Sequence, residues 1–284
     1  MKTYNRVTLK GRLHSYALED KEEAIAGTVT LEVDKDGNTA EVRFYATPTY
    51  KSGAKNKTYG FLEEMLAGNY NTVSNDGEDA DWLSIDANID VSYFVPRGGA
   101  KTVDDLGCAQ KLRGAFINPN NKKEYSNEWK CDMLITRIED REENPEKGYD
   151  HTVRVHGFII DDYNHRLMGV KFDAMDVGVM NYMNNLEVSV DNPLYTAIKG
   201  MFYMKKTLKV NKSAFEGGED DVREFENTFW KITWMPVNSY MFGEDITAEE
   251  YKALTDALEA HKMDKFNSGS EDGSAAEEGK KLVF

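Results

Sequence analysis

Three stretches of the chain interleave aromatic rings with basic side chains. The first is Arg43-Phe44-Tyr45, running on to Tyr50-Lys51 and then Lys55, Lys57 and Tyr59; the second is Lys122-Lys123-Glu124-Tyr125, followed by Trp129-Lys130; the third is Phe202-Tyr203-Met204-Lys205-Lys206. A ring offers a π-face on which an unpaired base can stack, at about 1–3 kcal/mol per base, and a cation beside it can follow a phosphate backbone. With the strand-borne Lys10, Arg12 and Arg113, the candidate nucleic-acid-binding set is Lys10, Arg12, Arg43, Tyr45, Tyr50, Lys51, Lys55, Lys57, Arg113, Lys122, Lys123, Tyr125, Trp129, Tyr203 and Lys205. On an alternating strand one of Phe44 and Tyr45 must face a core. Trp230 and Trp234 share a strand face and read as core.

Catalytic chemistry has no comparable support. His151, His156, His165, Asp161 and Asp162 form the one local group of metal-ligand types, but His151 and His156 are five apart on a strand and point to opposite faces. Ser, His and Asp occur in no nucleophile-elbow setting, and no glycine loop is built to cradle phosphate. The chain reads as a non-enzyme with no cofactor and no metal.

The elements that must position the rings and cations are mainly strands. An apolar–any–Gly–any–apolar pattern occurs in Leu9-Lys10-Gly11-Arg12-Leu13, and apolar-basic-Gly recurs in Leu112-Arg113-Gly114, Val155-His156-Gly157 and Ile198-Lys199-Gly200. A glycine inside an alternating run marks a bulge or bend, where a sheet can curl towards closure. Strands are expected over 7–13, 28–33, 40–46, 82–93, 111–117, 129–138, 151–160, 167–174, 194–204 and 228–234. Asp34-Lys35-Asp36-Gly37-Asn38 signals a hairpin turn, and every odd position from Leu83 to Tyr93 is apolar. Helices are expected at 59–66, with Phe61, Leu62, Met65 and Leu66 on one face, and briefly at 177–186. A capping box at Thr247-Ala248-Glu249-Glu250 opens another. The stretch 139–150 reads as a linker or long hairpin loop, and 216–226 as an acidic loop.

The chain has 284 residues, 40% of them apolar, and a formal net charge of −15. Acids crowd into presumed loops such as Asp76, Glu78, Asp79 and Asp81, whereas the strands carry Lys10, Arg12, Arg43, Arg113 and Arg154; local field decides where an anion docks. No apolar run is long enough to span a membrane, the start passes straight into a strand pattern, and Cys108 and Cys131 lack a partner motif. These features point to a reduced cytoplasm and no membrane association.

The opening strand Asn5-Arg6-Val7-Thr8-Leu9-Lys10-Gly11-Arg12-Leu13, with a hairpin and helix after it, resembles the OB-fold single-stranded DNA-binding proteins of bacteria and phages. Lys111-Leu112-Arg113-Gly114-Ala115-Phe116, running through Tyr125 and Trp129 to Ile138, is similar to the closing hairpin of that family, and a tail ending in Leu282-Val283-Phe284 to its partner-docking tail. The resemblance implies two small OB-like five-stranded β-barrels with short helices: residues 1–140 with an insertion at 68–110, then 150–238, a C-terminal helix over 243–266 and a disordered tail over 267–284. It further implies sequence-tolerant binding of single-stranded DNA in replication, recombination or repair, in the host cytoplasm if phage-encoded, with replication or recombination proteins docking on the tail. The other reading is a non-enzymatic β-rich phage virion or assembly protein whose aromatics are interfacial.

Overall fold

The computed structural model describes residues 3–144, 150–161, 163–211 and 221–271. The first strands are β1 (Asn5–Lys21), β2 (Ala24–Glu32) and β3 (Thr39–Ala46), followed by α1 (Lys57–Leu66), the short α2 (Val73–Asp76), β4 (Trp82–Phe94) and β5 (Gly107–Pro119). Then come β6 (Ser126–Arg141), β7 (Thr152–Asp161), β8 (Arg166–Ala174), α3 (Val177–Asn184), β9 (Leu194–Asn211), β10 (Asp221–Trp234) and α4 (Ala248–Glu271). The expected class, mainly β with short helices and a C-terminal helix, is the observed one.

All ten strands join in one sheet ordered β2-β3-β5-β4-β1-β6-β7-β8-β10-β9, and two further pairings, β2–β1 and β6–β9, bring its halves round on themselves. The first five strands therefore follow a closed circuit β1-β2-β3-β5-β4-β1, in which β3 and β5 run parallel. The second five repeat it as β6-β7-β8-β10-β9-β6, with β8 and β10 parallel. A helix follows the third strand of each circuit. α1 turns Leu62 and Met65 into the core, and α3 does the same with Met180 and Met183.

Several expectations are corrected by this pairing. β4 lies inside the stretch expected to be an insertion, yet it is the ring strand between β1 and β5; the alternation of Leu83, Ile85, Ala87, Ile89 and Val91 buries it against the core. β5 and β6 do not form a closing hairpin. β5 returns to β3 and β4, while β6 pairs with β1, β7 and β9, so the passage between rings falls between Pro119 and Ser126. Glu139, Asp140 and Arg141 of the 139–150 stretch belong to β6 and pair with Arg154, Val153 and Thr152 of its antiparallel partner β7. β1 runs on to Lys21, through what reads as a polar connection, because β2 pairs with it as far as Lys21↔Ala24. β10 starts at Asp221, inside the expected acidic loop, and α4 continues to Glu271, past the expected end at 266. The tail residues Leu282, Val283 and Phe284 lie outside the described residues.

Three of the four pattern glycines lie at curl points, whereas Gly11 pairs with Leu83 in unbroken register and the shift in β1 falls later, between Leu13 and Ser15. Register shifts fall between Ile135 and Arg137, opposite Gly157; between Ile232 and Trp234, opposite Gly200; and between Asp86 and Ala87, opposite Gly114. At Gly157 the backbone of β6 comes so near that a Cβ would sit 2.0 Å from the carbonyl oxygen of Leu134. Only a residue without a side chain permits that approach.

One apolar core runs through both rings, from Val7, Leu9 and Leu31 to Phe172 and Ile198, consistent with the direct β1–β6 pairing. A second, smaller core lies outside the second ring. There Ile246, and Leu254 and Leu258 of α4, cover Leu134, Ile160, Leu167 and Tyr195. β6 is consequently buried on both faces from Cys131 to Thr136.

Candidate nucleic-acid interface

β3 shows how the sequence lays out a ligand face. Ala40, Val42, Phe44 and Ala46 are buried, which leaves Glu41, Arg43 and Tyr45 outward. Phe44 is therefore the core partner of the pair and Tyr45, at 70% exposure, the open ring. In register with Arg43 stand Thr28 on β2 and Arg113 on β5. Two guanidinium groups on adjacent strands repel each other unless an anion lies across them. Among the described residues the carboxylate paired with Arg43 is Glu41, at 3.8 Å and solvent-exposed. Opposite Tyr45 is Ala26, too small to cover the ring.

The chain then enters a tight loop. Thr49 and Lys55 bridge, Gly53 takes φ +82 at the turn, and Asn56 caps α1 while donating through Nδ2 to the Thr47 carbonyl at 2.9 Å. This loop presents Tyr50, Lys51 and Lys55 beside the β3 face, and Lys57 follows as the first residue of α1. Lys51 Nζ donates to the hydroxyl of Tyr163, 3.0 Å away in the β7–β8 connection. That bond raises the Lys51 pKa and lowers that of Tyr163, which Arg113 lowers further. Arg43, Tyr45, Lys51 and Arg113 are thus brought into one neighbourhood.

The remaining candidates lie elsewhere. Arg12 donates through Nε and an Nη to Glu32 Oε1 at 2.9 and 2.7 Å, and the Tyr125 hydroxyl donates to the same oxygen at 3.2 Å. The bond to Glu32 raises the Arg12 pKa, and burial raises that of Tyr125. The Tyr125 ring leans on Trp82 with centroids 4.8 Å apart, and Lys10 pairs with Glu124 at 3.6 Å. These residues fasten the β1–β2 edge to the turn before β6. Lys122 and Lys123 are exposed in that turn, where Lys123 has φ 53. Lys205 pairs with Asp150 at 2.6 Å, and Tyr203 sits beside Phe229 on the β9–β10 ribbon.

Trp129 is not a stacking platform. It is fully buried, its ring stacked on Phe172 at 4.3 Å, because it faces the core and Gly200 on the neighbouring strand leaves room for the indole. Trp230 is core-packed as expected, against Trp129, Phe172 and Phe202. Trp234 is not, since the register shift after Ile232 turns it out to 46% exposure. His151 and His156, read as pointing apart, have separate partners in Asp140 and Glu139.

Sequence reasoning passed over Tyr163, which is 72% exposed. The signal was a lone aromatic at the apex of a strand–turn–strand, but that segment drew notice for its His and Asp residues alone. The rings of Phe94 and Phe116 are also exposed.

Among solved structures, a deletion mutant of the single-stranded DNA binding protein from Thermus aquaticus superposes with a TM-score of 0.50 at 12% identity, covering 84% of this chain and 98% of that one. The wild-type protein of the same organism gives 0.49 at 12% identity, covering 85% and 96%. The likeness is one of fold. No curated protein matches the sequence. A family model does match over residues 3–230, a span that takes in both rings through to β10, and by that match the chain belongs to the YorF family.

Proposed function

We propose that the chain binds single-stranded DNA with little sequence preference, across the outward face of β3 and β5 in the first ring. The observation that carries this reading is the pairing of Arg43 with Arg113 in adjacent register, with Tyr45 open one pleat further along. A phosphate backbone lying over the two guanidiniums removes their repulsion, and a base turned towards Tyr45 finds a free π-face. The Thermus aquaticus protein of similar fold is a single-stranded DNA binding protein, which supports the same ligand class. Tyr50, Lys51, Lys55 and Lys57 extend the face along the loop. Lys122 and Lys123 add backbone contacts at its margin, whereas Lys10, Arg12, Tyr125 and Lys205 act through the ion pairs and packing that hold the rings in place.

On this reading each ring is an OB-like barrel, and the chain protects strands exposed in replication, recombination or repair, without catalysis, in the cytoplasm, that of the host if the chain is phage-encoded. Leu282, Val283 and Phe284 serve as a docking tip for replication or recombination proteins. A second reading, a β-rich virion or assembly protein, has one observation in its favour: Val177, Tyr182, Trp234 and Val237 are exposed around α3 and the segment after β10.

The test is a titration with oligo(dT), its duplex and salt. The expected result is tight binding of the single strand, poor binding of the duplex, and affinity falling linearly in log terms with salt. Tyr45→Ala should lose about 5- to 150-fold in affinity, the equivalent of 1–3 kcal/mol, at an unchanged melting temperature. Equal affinity for single strand and duplex would refute the function, and a Tyr45→Ala protein that melts early would make Tyr45 structural.

A further inference from the structure

Beside the β3–β5 face, which it meets at Arg113, lies a cleft of about 520 Å³. It opens between Arg113 and Ile89 of the first ring and Ile160, Tyr163, His165 and Met168 of the second. We propose that this cleft seats an unpaired nucleobase stacked on Tyr163, and that a bound strand crosses here from the first ring to the second. The proposal rests on single-stranded DNA binding at the β3–β5 face.

The Tyr163 ring stands at a turn apex with most of its surface open, so its stacking face is not used by the protein core. Its position is nevertheless defined. Lys51 Nζ holds the hydroxyl at 3.0 Å and lies 5.6 Å from the ring centroid. Lys51 comes from the loop that also carries Tyr50, so this contact links the candidate interface to the second ring. Being solvent-exposed, the contact is weak and readily exchanged. A phosphate arriving at Lys51 replaces the phenol as its partner and frees the ring to receive a base.

A base has two apolar faces and a polar rim. Ile89, Ile160 and Met168 line the cleft but are buried, so the surface open for stacking is the Tyr163 ring, and the polar remainder of the wall meets the rim of the base. The two acids of the cleft are already matched, Asp90 by Lys111 at 3.8 Å and Asp161 by Arg166 at 3.5 Å. Arg113 has no carboxylate partner among the described residues, which leaves it as the cation facing an incoming phosphate. Asn5, the amide nearest in type to a base reader, is occupied on both sides: Nδ2 donates to the Ile89 carbonyl and Oδ1 accepts from the Ile89 N–H. Asn88, the other amide of the cleft, donates to the Ala87 and Asn5 carbonyls. A cleft whose amides are committed to the protein's own backbone grips a base by stacking more than by its edge, in keeping with sequence-tolerant binding.

The test uses the full chain with dT oligonucleotides of graded length. 5-Iodouracil placed along a long oligonucleotide should photocrosslink to Tyr163. Tyr163→Ala should weaken long strands about tenfold and leave unchanged those short enough to occupy the first ring alone. Tyr163→Phe, which keeps the ring and drops the bond to Lys51, should bind as tightly as the unaltered chain or more so. Both variants should keep the original melting temperature, since the side chain is exposed. The proposal is overturned if the unaltered chain binds and crosslinks only within the first ring, or if Tyr163→Ala binds every length as before. Failure of the unaltered chain to bind any single strand would instead bring down the underlying function, and this cleft with it.

Discussion

Trp129 separates stability from binding. The residue is fully buried, lies 18° from parallel with Phe172 at 4.3 Å, and has Trp230 6.3 Å away. Gly200 packs so closely that a Cβ there would fall 2.2 Å from the indole. Trp129→Ala removes a large core side chain, about 3–5 kcal/mol, and an aromatic pair worth about 0.5–1.5 more. The loss of roughly 3.5–6.5 kcal/mol is a large part of the 5–15 kcal/mol that holds typical domains folded. At about 2–4 °C per kcal/mol, the melting temperature should fall by roughly 7–26 °C. Trp129→Phe should cost much less: it keeps a ring against Phe172 and removes an indole N–H that has no hydrogen-bond partner among the described residues. Thermal unfolding followed by circular dichroism, beside oligo(dT) titration below the transition, reads both effects. Unchanged melting with a selective loss of DNA affinity in Trp129→Ala would refute the packing argument and restore Trp129 as a stacking platform.

Two further perturbations probe the frame. Gly157→Ala puts a methyl 2.0 Å from the Leu134 carbonyl and should destabilise by about 1–3 kcal/mol or more, whereas Gly178→Ala, in α3 with open space around it, should stabilise by up to about 1 kcal/mol; equal effects in chemical denaturation would dismiss the close-approach reading. Acid should also weaken the fold near β6 and β7. Burial holds the His156 pKa below its usual value despite the carboxylate of Glu139 at 2.7 Å, and Arg137 and Lys171 lower it further. Burial acts to raise Glu139, but His156, Arg137 and Arg141 outweigh it and leave the carboxyl lowered. With His156 depressed, the unfolded chain takes up the proton first, so stability is lost as pH falls through about 6.5, and the Glu139 contribution follows below about 4.3. His156→Gln should flatten the decline in melting temperature between pH 7.5 and 5.5; a slope identical to that of the unaltered chain would show that His156 is not its source.

Strand alternation carried most of the fold in advance because it records which side of a sheet faces the core. The odd-numbered apolar residues from Leu83 to Val91 and the Ala40, Val42, Phe44, Ala46 series are buried as the pattern implies. The curl-point glycines were legible too, since absence of a side chain is itself the signal. Pairing between distant strands was not. β5 and β6 are consecutive and both β-rich, and nothing in their residues announces that one returns to the first ring while the other opens the second. The alternation of β4 marks it as a strand, but its place between β1 and β5 is not legible, because the family resemblance sets 68–110 aside as an insertion. At the site, Arg43 and Tyr45 could be assigned outward from β3 alone. Their meeting with Arg113 depends on a parallel pairing of only Val42↔Leu112 and Arg43↔Arg113, and Tyr163 is brought near by the second ring. Trp129 misled because an aromatic flanked by Glu128 and Lys130 reads the same whether it points out to solvent or in to the core.

The two rings repeat one strand order with different outer surfaces, and the difference bears on where a strand can lie. On the first ring, β3 turns Glu41, Arg43 and Tyr45 to solvent. On the second, the outward positions of β6 to β9 include Leu134, Ile160, Leu167 and Tyr195, and α4 covers them with Leu254 and Leu258. Uncovering those apolar side chains would cost about 25 cal/mol for each Å² exposed, so a nucleic acid gains nothing by displacing the helix there. The helix also reaches the first ring, with His261 edge-on to the Tyr93 ring at 6.0 Å and Lys262 over it at 5.9 Å. It therefore braces the rings against each other while removing one face from contact with ligand. A strand held on β3 and β5 then has the unblocked cleft beside Tyr163 as its route towards the second ring.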